Sequence, residues 1–123
     1  MNVTFTAIMT GKDKDDKMEF TAPVKVSKID NFTTYEFTDP STKVTNLIEV
    51  SDKVVNIFAG PVTYNFKLNE TVQNRIEMSP GIQILNTYLF DLDRESGYVN
   101  FKYKMHFNDG NEIGTYNIIL KIQ

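Results

Sequence analysis

From Val99 onward the chain alternates between apolar and polar residues. Val99, Phe101, Tyr103, Met105 and Phe107 are apolar, with Asn100, Lys102, Lys104 and His106 between them. After Asn108-Asp109-Gly110-Asn111 the pattern resumes with Tyr116, Ile118, Leu120 and Ile122. Period-two alternation around an Asp-Gly turn predicts an antiparallel hairpin. The same alternation runs through the rest of the chain. It predicts strands at about 2–9, 17–28, 32–38, 43–51, 53–59, 62–68, 71–79, 82–91, 97–108 and 112–122.

The breaks between these segments carry turn chemistry. Gly11 to Asp16 is a charged turn, and Asp30-Asn31 and Asp39-Pro40-Ser41 are turn formers. Ser51-Asp52-Lys53 is short enough for a tight hairpin. Gly60-Pro61 and Ser79-Pro80-Gly81 punctuate the middle, where proline is tolerated only at strand ends or bulges. Asp93-Arg94-Glu95-Ser96-Gly97 leads into the last hairpin. No stretch holds an apolar period of 3.6 over the ten or more residues that a helix requires. Many short strands with brief connections fit a sandwich or an up-and-down barrel. The barrel is preferred, because strands joined by short turns form a meander and closure removes exposed edges. The expected fold is thus all-β, an antiparallel up-and-down barrel of eight to ten strands, in a single domain over residues 1–123.

Alternation also sorts residues into two faces. One face collects Val3, Phe5, Ala7, Met9, Met18, Phe20, Ala22, Tyr35, Phe37, Val44, Ile48 and Val50. It continues with Val62, Tyr64, Phe66, Leu68, Val72, Ile76 and Met78, then Ile82, Ile84, Tyr88 and Phe90, and then the apolar set of the C-terminal hairpin. Phe32, Phe58 and Tyr98 are the aromatics left over. An aromatic side chain buries on the order of 150–250 Å², and about eight strands enclose just enough room for side chains or one small ligand. The inward aromatics therefore fill most of the interior, leaving room for a small pocket at one mouth.

Asn46, Asn74 and Asn86, with the hydroxyls of Tyr35, Tyr64, Tyr88 and Tyr103, interrupt the apolar face. Buried polar groups need partners, which are other protein groups, buried water or a ligand that they orient. For the ligand-binding alternative the sequence nominates Tyr35, Tyr64, Asn74, Asn86 and Tyr88. On the polar face Leu47, Phe58, Leu85, Leu89 and Ile119 stand out. If contiguous, they make an exposed patch of the kind that marks an interface, a homodimer included.

Composition removes several classes of function. Of 123 residues, 41% are hydrophobic and 24% charged, the balance of an ordinary globular domain. A formal charge of −3 offers no concentrated basic face, so neither nucleic acid nor an anionic membrane is an expected partner. There is no cysteine, which excludes disulfides, thiolate nucleophiles and cysteine-based metal sites. Met1 to Ala7 lacks a basic head followed by an apolar run, and no apolar stretch approaches a membrane span. A cytoplasmic setting is the expectation. Asn2-Val3-Thr4, Asn31-Phe32-Thr33 and Asn69-Glu70-Thr71 match the glycosylation pattern by chance in a chain rich in Asn and Thr.

No catalytic constellation emerges. His106 is the single histidine and falls on the polar face beside Lys102 and Lys104, as a solvated strand residue. Lys12-Asp13-Lys14-Asp15-Asp16-Lys17 lacks the spacing and terminal Glu of a calcium loop and reads as a solvated turn. Asp91, Asp93 and Glu95 offer carboxylates at a turn, with Arg94 to neutralise them. Arg75 shares its face with Gln73 and Glu77, either as a surface ladder or as an anion contact at a rim. There is no nucleophile elbow, phosphate loop or dinucleotide fingerprint. The expectation is a non-enzymatic protein without catalytic residues, metal ligands or cofactor.

Several runs carry a resemblance, best from Val44 to Ile122. They are the Ser79-Pro80-Gly81 step with Thr87 after it, Asp91-Leu92-Asp93-Arg94-Glu95-Ser96-Gly97, and Tyr103-Lys104-Met105-His106. Thr33-Thr34-Tyr35-Glu36 and the Asp52–Gly60 hairpin also fit. In these the chain resembles the YwiB-like proteins, a family of small bacterial proteins of unknown function with a calycin-like β-barrel. The resemblance implies a barrel shaped like those of the lipocalins and fatty-acid binders, whose members bind small apolar ligands. It implies no catalytic residues. The leading expectation is a small, partly apolar ligand at one mouth of the barrel. The competing one is a filled-core interaction module acting through its outer surface or by self-association.

Overall fold

Ten strands form one antiparallel sheet that curls into a nearly closed barrel. The computed structural model describes residues 1–11, 15–77 and 81–123. The strands are β1 (Asn2–Thr10), β2 (Asp15–Ile29), β3 (Phe32–Thr38), β4 (Thr45–Val50) and β5 (Val54–Ala59). They continue as β6 (Val62–Lys67), β7 (Thr71–Glu77), β8 (Ile82–Glu95), β9 (Tyr98–Phe107) and β10 (Glu112–Ile122). The sequence boundaries match these closely, except that β8 runs on to Glu95. There is no helix among the described residues. Lys12 to Lys14, Met78 and the Ser79-Pro80 step lie outside the described residues.

The order around the sheet is β6-β5-β4-β3-β2-β1-β10-β9-β8-β7. Each strand therefore pairs with its neighbour in sequence, and β1 zips to β10 from Val3↔Ile122 to Thr10↔Thr115. That leaves one junction, β6 against β7, with no backbone ladder. Side chains close it instead. Asn74 on β7 accepts from the Asn65 backbone N–H through Oδ1 at 2.6 Å and donates from Nδ2 to the Asn65 carbonyl at 3.3 Å. The Thr87 hydroxyl on β8 donates to the same carbonyl at 2.7 Å. A carboxamide presents one donor and one acceptor side by side, as a peptide unit does, so Asn74 stands in for a strand. Below it, Asn69 at φ 62° turns its N–H onto the Leu89 carbonyl at 2.7 Å.

The interior follows from register. Directly opposed residues of an antiparallel pair share a face. Phe5 opposes Phe20 and Leu120, Val50 opposes Val55, and Phe101 opposes Ile118. Val3, Val50, Val55, Phe66, Phe101 and Leu120 are fully buried. The rings of Phe5, Phe20 and Phe37 meet at centroid distances of 5.2–5.9 Å. Across the barrel Tyr103 packs on Phe66 at 4.4 Å and on Tyr116 at 4.9 Å. The aromatics fill the middle of the barrel, as the alternation predicts.

One strand departs from that prediction. In β8 the inward residues are Leu85, Thr87 and Leu89, opposed to Phe107, Met105 and Tyr103. Leu85 and Leu89 are core residues, the latter fully buried, and are not part of an outer patch. Ile82, Ile84, Asn86 and Tyr88 take the outer face, beside Glu77, Arg75, Gln73 and Thr71 of β7. The register then shifts between Leu89 and Asp91, with Phe90 as the extra residue at 37% exposure. A β-bulge of this kind flips the alternation downstream. Leu92 now opposes Phe101 and Arg94 opposes Val99, both facing inward. Without knowledge of the bulge, a single phase laid along β8 places its first half on the wrong face.

Candidate functional site

The bulge carries Arg94 to one end of the barrel, on the inward side of β8 near the β8–β9 turn. Gly97 occupies that turn at φ 75°, a left-handed conformation that suits glycine. Its carbonyl accepts the Ile122 N–H at 2.9 Å, holding the turn against the end of β10. Opposite stand the second half of β2 and the start of β3, where Val26 opposes Tyr35 and Lys28 opposes Thr33. These residues face inward by parity, yet Val26 remains 36% exposed, because the barrel is open here.

The opening is a cavity of about 620 Å³, lined by Met1, Val26, Lys28, Thr33, Tyr35, Asp52, Arg94, Glu95, Ser96, Gly97 and Ile122. Ligand pockets commonly measure roughly 300–1,000 Å³ and combine apolar walls with a few convergent polar groups. Here Met1, Val26 and Ile122 give the apolar wall. Arg94 reaches across the mouth. Its Nη1 donates to Asp52 Oδ1 at 2.9 Å and its Nη2 to Thr33 Oγ1 at 3.2 Å. The Asp52 side chain is 96% exposed, at the tip of the β4–β5 hairpin. Tyr35 is buried beside them. Burial raises its hydroxyl pKa, and the positive charge of Arg94 offsets part of that rise.

The nominated residues do not share one place. Tyr35 lines this mouth. Tyr64 opposes Ile57 and belongs with Tyr103 and Tyr116, whose stacked rings pack the interior. Burial raises the hydroxyl pKa of all three, most strongly for Tyr103. Asn74 is 2% exposed and committed to the β6–β7 junction, where it also donates to Thr87 Oγ1 at 3.2 Å. Asn86 and Tyr88 lie on the outside of β8, opposed to His106 and Lys104. Arg75 is exposed on β7 between Gln73 and Glu77.

Arg94, Thr33, Lys28 and Val26 were not nominated by alternation alone. A usable signal exists: Leu89 and Leu92 stand three residues apart, with apolar Phe90 between them, and this break in the period of two marks the bulge that turns Arg94 inward. Nor does Arg94 neutralise the neighbouring carboxylates. Asp91 faces out and meets Lys102 at 3.7 Å, a half-exposed pair. Among the described residues no group of three His, Asp or Glu side chains could hold a metal ion.

Comparison with known proteins places the chain. It is 31% identical over 124 residues to an uncharacterized protein of Mycoplasmopsis pulmonis, spanning 99% of this chain and 98% of that one. The chain belongs to the family of that protein. No family model matches it. Among solved structures it is similar to YwiB of Bacillus subtilis, with a TM-score of 0.72 over 99% of this chain and 90% of that chain, at 15% identity. The two share a fold, which bears out the resemblance read in the sequence. No helix of the described residues is long and apolar enough to cross a membrane.

Proposed function

We propose that this protein binds a small, partly apolar molecule in the open mouth of its barrel and catalyses no reaction. The carrying observation is the 620 Å³ cavity between β2, β3 and β8, walled by Val26, Met1 and Ile122 and floored by Tyr35. The nearly closed antiparallel barrel supports the same reading by analogy with barrels that hold one small ligand. Of the residues nominated from sequence, Tyr35 carries the proposal; Asn74 serves closure and Tyr64 packing. Nothing in the role requires a cofactor, and a cytoplasmic setting is part of the proposal.

Native mass spectrometry of protein purified gently from cells, beside a denatured control, tests it. Added mass that vanishes on denaturation supports a ligand. A bare mass, together with no fluorescence enhancement of the neutral probe N-phenyl-1-naphthylamine, sinks the proposal. A second reading, self-association through the outer surface, draws on Leu47 and Phe58, which face each other across β4 and β5. Light scattering decides it, since a strict monomer at high concentration removes that reading.

A further inference from the structure

Two basic side chains, Arg94 and Lys28, line the mouth. Arginine carries five N–H donors in a rigid fork that matches an oxyanion in two-point contact. Arg94 spends one on Asp52 and one on Thr33 among the described residues, so its fork is partly used and only 28% of its side chain is exposed. Asp52, by contrast, is nearly bare to solvent. A pair with so exposed a partner is worth little and exchanges readily. Lys28 adds a second cation at an inward position of the rim, opposed to Thr33. The other carboxylate of the lining, Glu95, opposes Tyr98 on the outward parity and is exposed. Of the four charged residues that line the cavity, Arg94 is the least exposed, while Lys28, Asp52 and Glu95 are all exposed. The Tyr35 hydroxyl lies within the electrostatic reach of Arg94 and supplies a further donor.

We infer that the ligand carries an oxyanion, a carboxylate or a phosphate monoester, which takes Arg94 from Asp52 while its apolar body rests on Val26, Met1 and Ile122. Asp52 is then an internal competitor that holds the guanidinium in place in the empty mouth. This inference rests on the ligand-binding reading above.

The test compares an anionic and a neutral probe of similar shape, 1-anilinonaphthalene-8-sulfonate and N-phenyl-1-naphthylamine, by fluorescence titration of the full chain. The expected result is tighter binding of the sulfonate, weakened roughly tenfold or more by Arg94→Gln, with the neutral probe little changed. Asp52→Asn removes the competitor and is expected to tighten the sulfonate several-fold. A purely structural Asp52–Arg94 pair predicts no gain. Benzoate and phenyl phosphate as competitors, with benzamide as the neutral control, distinguish carboxylate from phosphate. Thermal melts confirm that each variant folds. If Arg94→Gln fails to fold, the Asp52→Asn arm decides alone. If the neutral probe binds but neither variant changes the sulfonate, the oxyanion inference is overturned and the binding reading survives. If neither probe binds, both fall.

Discussion

The β6–β7 junction and the open mouth both place polar groups on the inward face of this barrel, and the two are put to opposite uses. At the β6–β7 junction Asn74 is 2% exposed and Thr87 fully buried, and their donors and acceptors meet Asn65, Val72 and each other. At the mouth Arg94 keeps donors in reserve among the described residues, and its carboxylate partner, Asp52, stands in solvent. The difference teaches how to judge polar residues on an inward face. Saturated groups hold the fold together, while unsaturated ones beside a cavity have capacity left for something else.

The largest effect should come from the junction. Asn74→Leu leaves the Asn65 N–H and part of its carbonyl demand unmet. We expect a loss of about 2–4 kcal/mol, from roughly 1–3 kcal/mol for each buried group left unpaired. Urea unfolding measures it, and a loss below about 1 kcal/mol would refute the junction's role.

Alkaline titration sharpens the contrast between mouth and interior. Burial raises the hydroxyl pKa of Tyr35, Tyr64, Tyr103 and Tyr116, and the charge of Arg94 lowers only that of Tyr35. A raised acid pKa means that the folded chain holds protons the unfolded chain would release. The associated stability is whole below the unfolded value near 10 and is lost as pH rises above it. Absorbance at the tyrosinate band should show Tyr103 ionising only with unfolding. A Tyr103→Phe variant tests this, because it should remove amplitude from the unfolding step and leave the earlier phase intact.

A smaller effect is expected from Thr87→Val. It keeps the shape but removes the 2.7 Å bond to the Asn65 carbonyl, which Asn74 still serves. A loss of about 1 kcal/mol should appear in the same unfolding assay. Smallest is Arg94→Gln, whose exposed pair with Asp52 contributes no more than about 1 kcal/mol. The melting temperature should barely move, even as anionic probe binding falls. A large drop in stability would recast Arg94 as a structural residue.

Much of this was legible in the sequence. Strand positions, the Asp-Gly hairpin and the aromatic filling follow from local alternation and turn chemistry, which depend on near neighbours. Arg94 and the face of β8 were not legible from a uniform phase, because one bulged residue at Phe90 inverts the pattern within a strand. The Leu89 to Leu92 step carries the clue, but only register identifies it as a bulge. Asn74 stood out as an inward polar residue. What it bonds depended on which strands meet at the closing junction, and that is a property of the whole chain rather than of its neighbourhood.

The junction has a consequence beyond stability. Two strands that lack a ladder between them are edges, and edges pair with strands of other chains. Here the edges face one another, and the Asn74 carboxamide occupies the place on β6 where a foreign backbone would dock. Removing it would create two templates at once, on one molecule and in register for exchange with another. Variants at Asn74 should therefore be watched for domain-swapped oligomers and fibrils at concentrations where the parent chain stays dispersed.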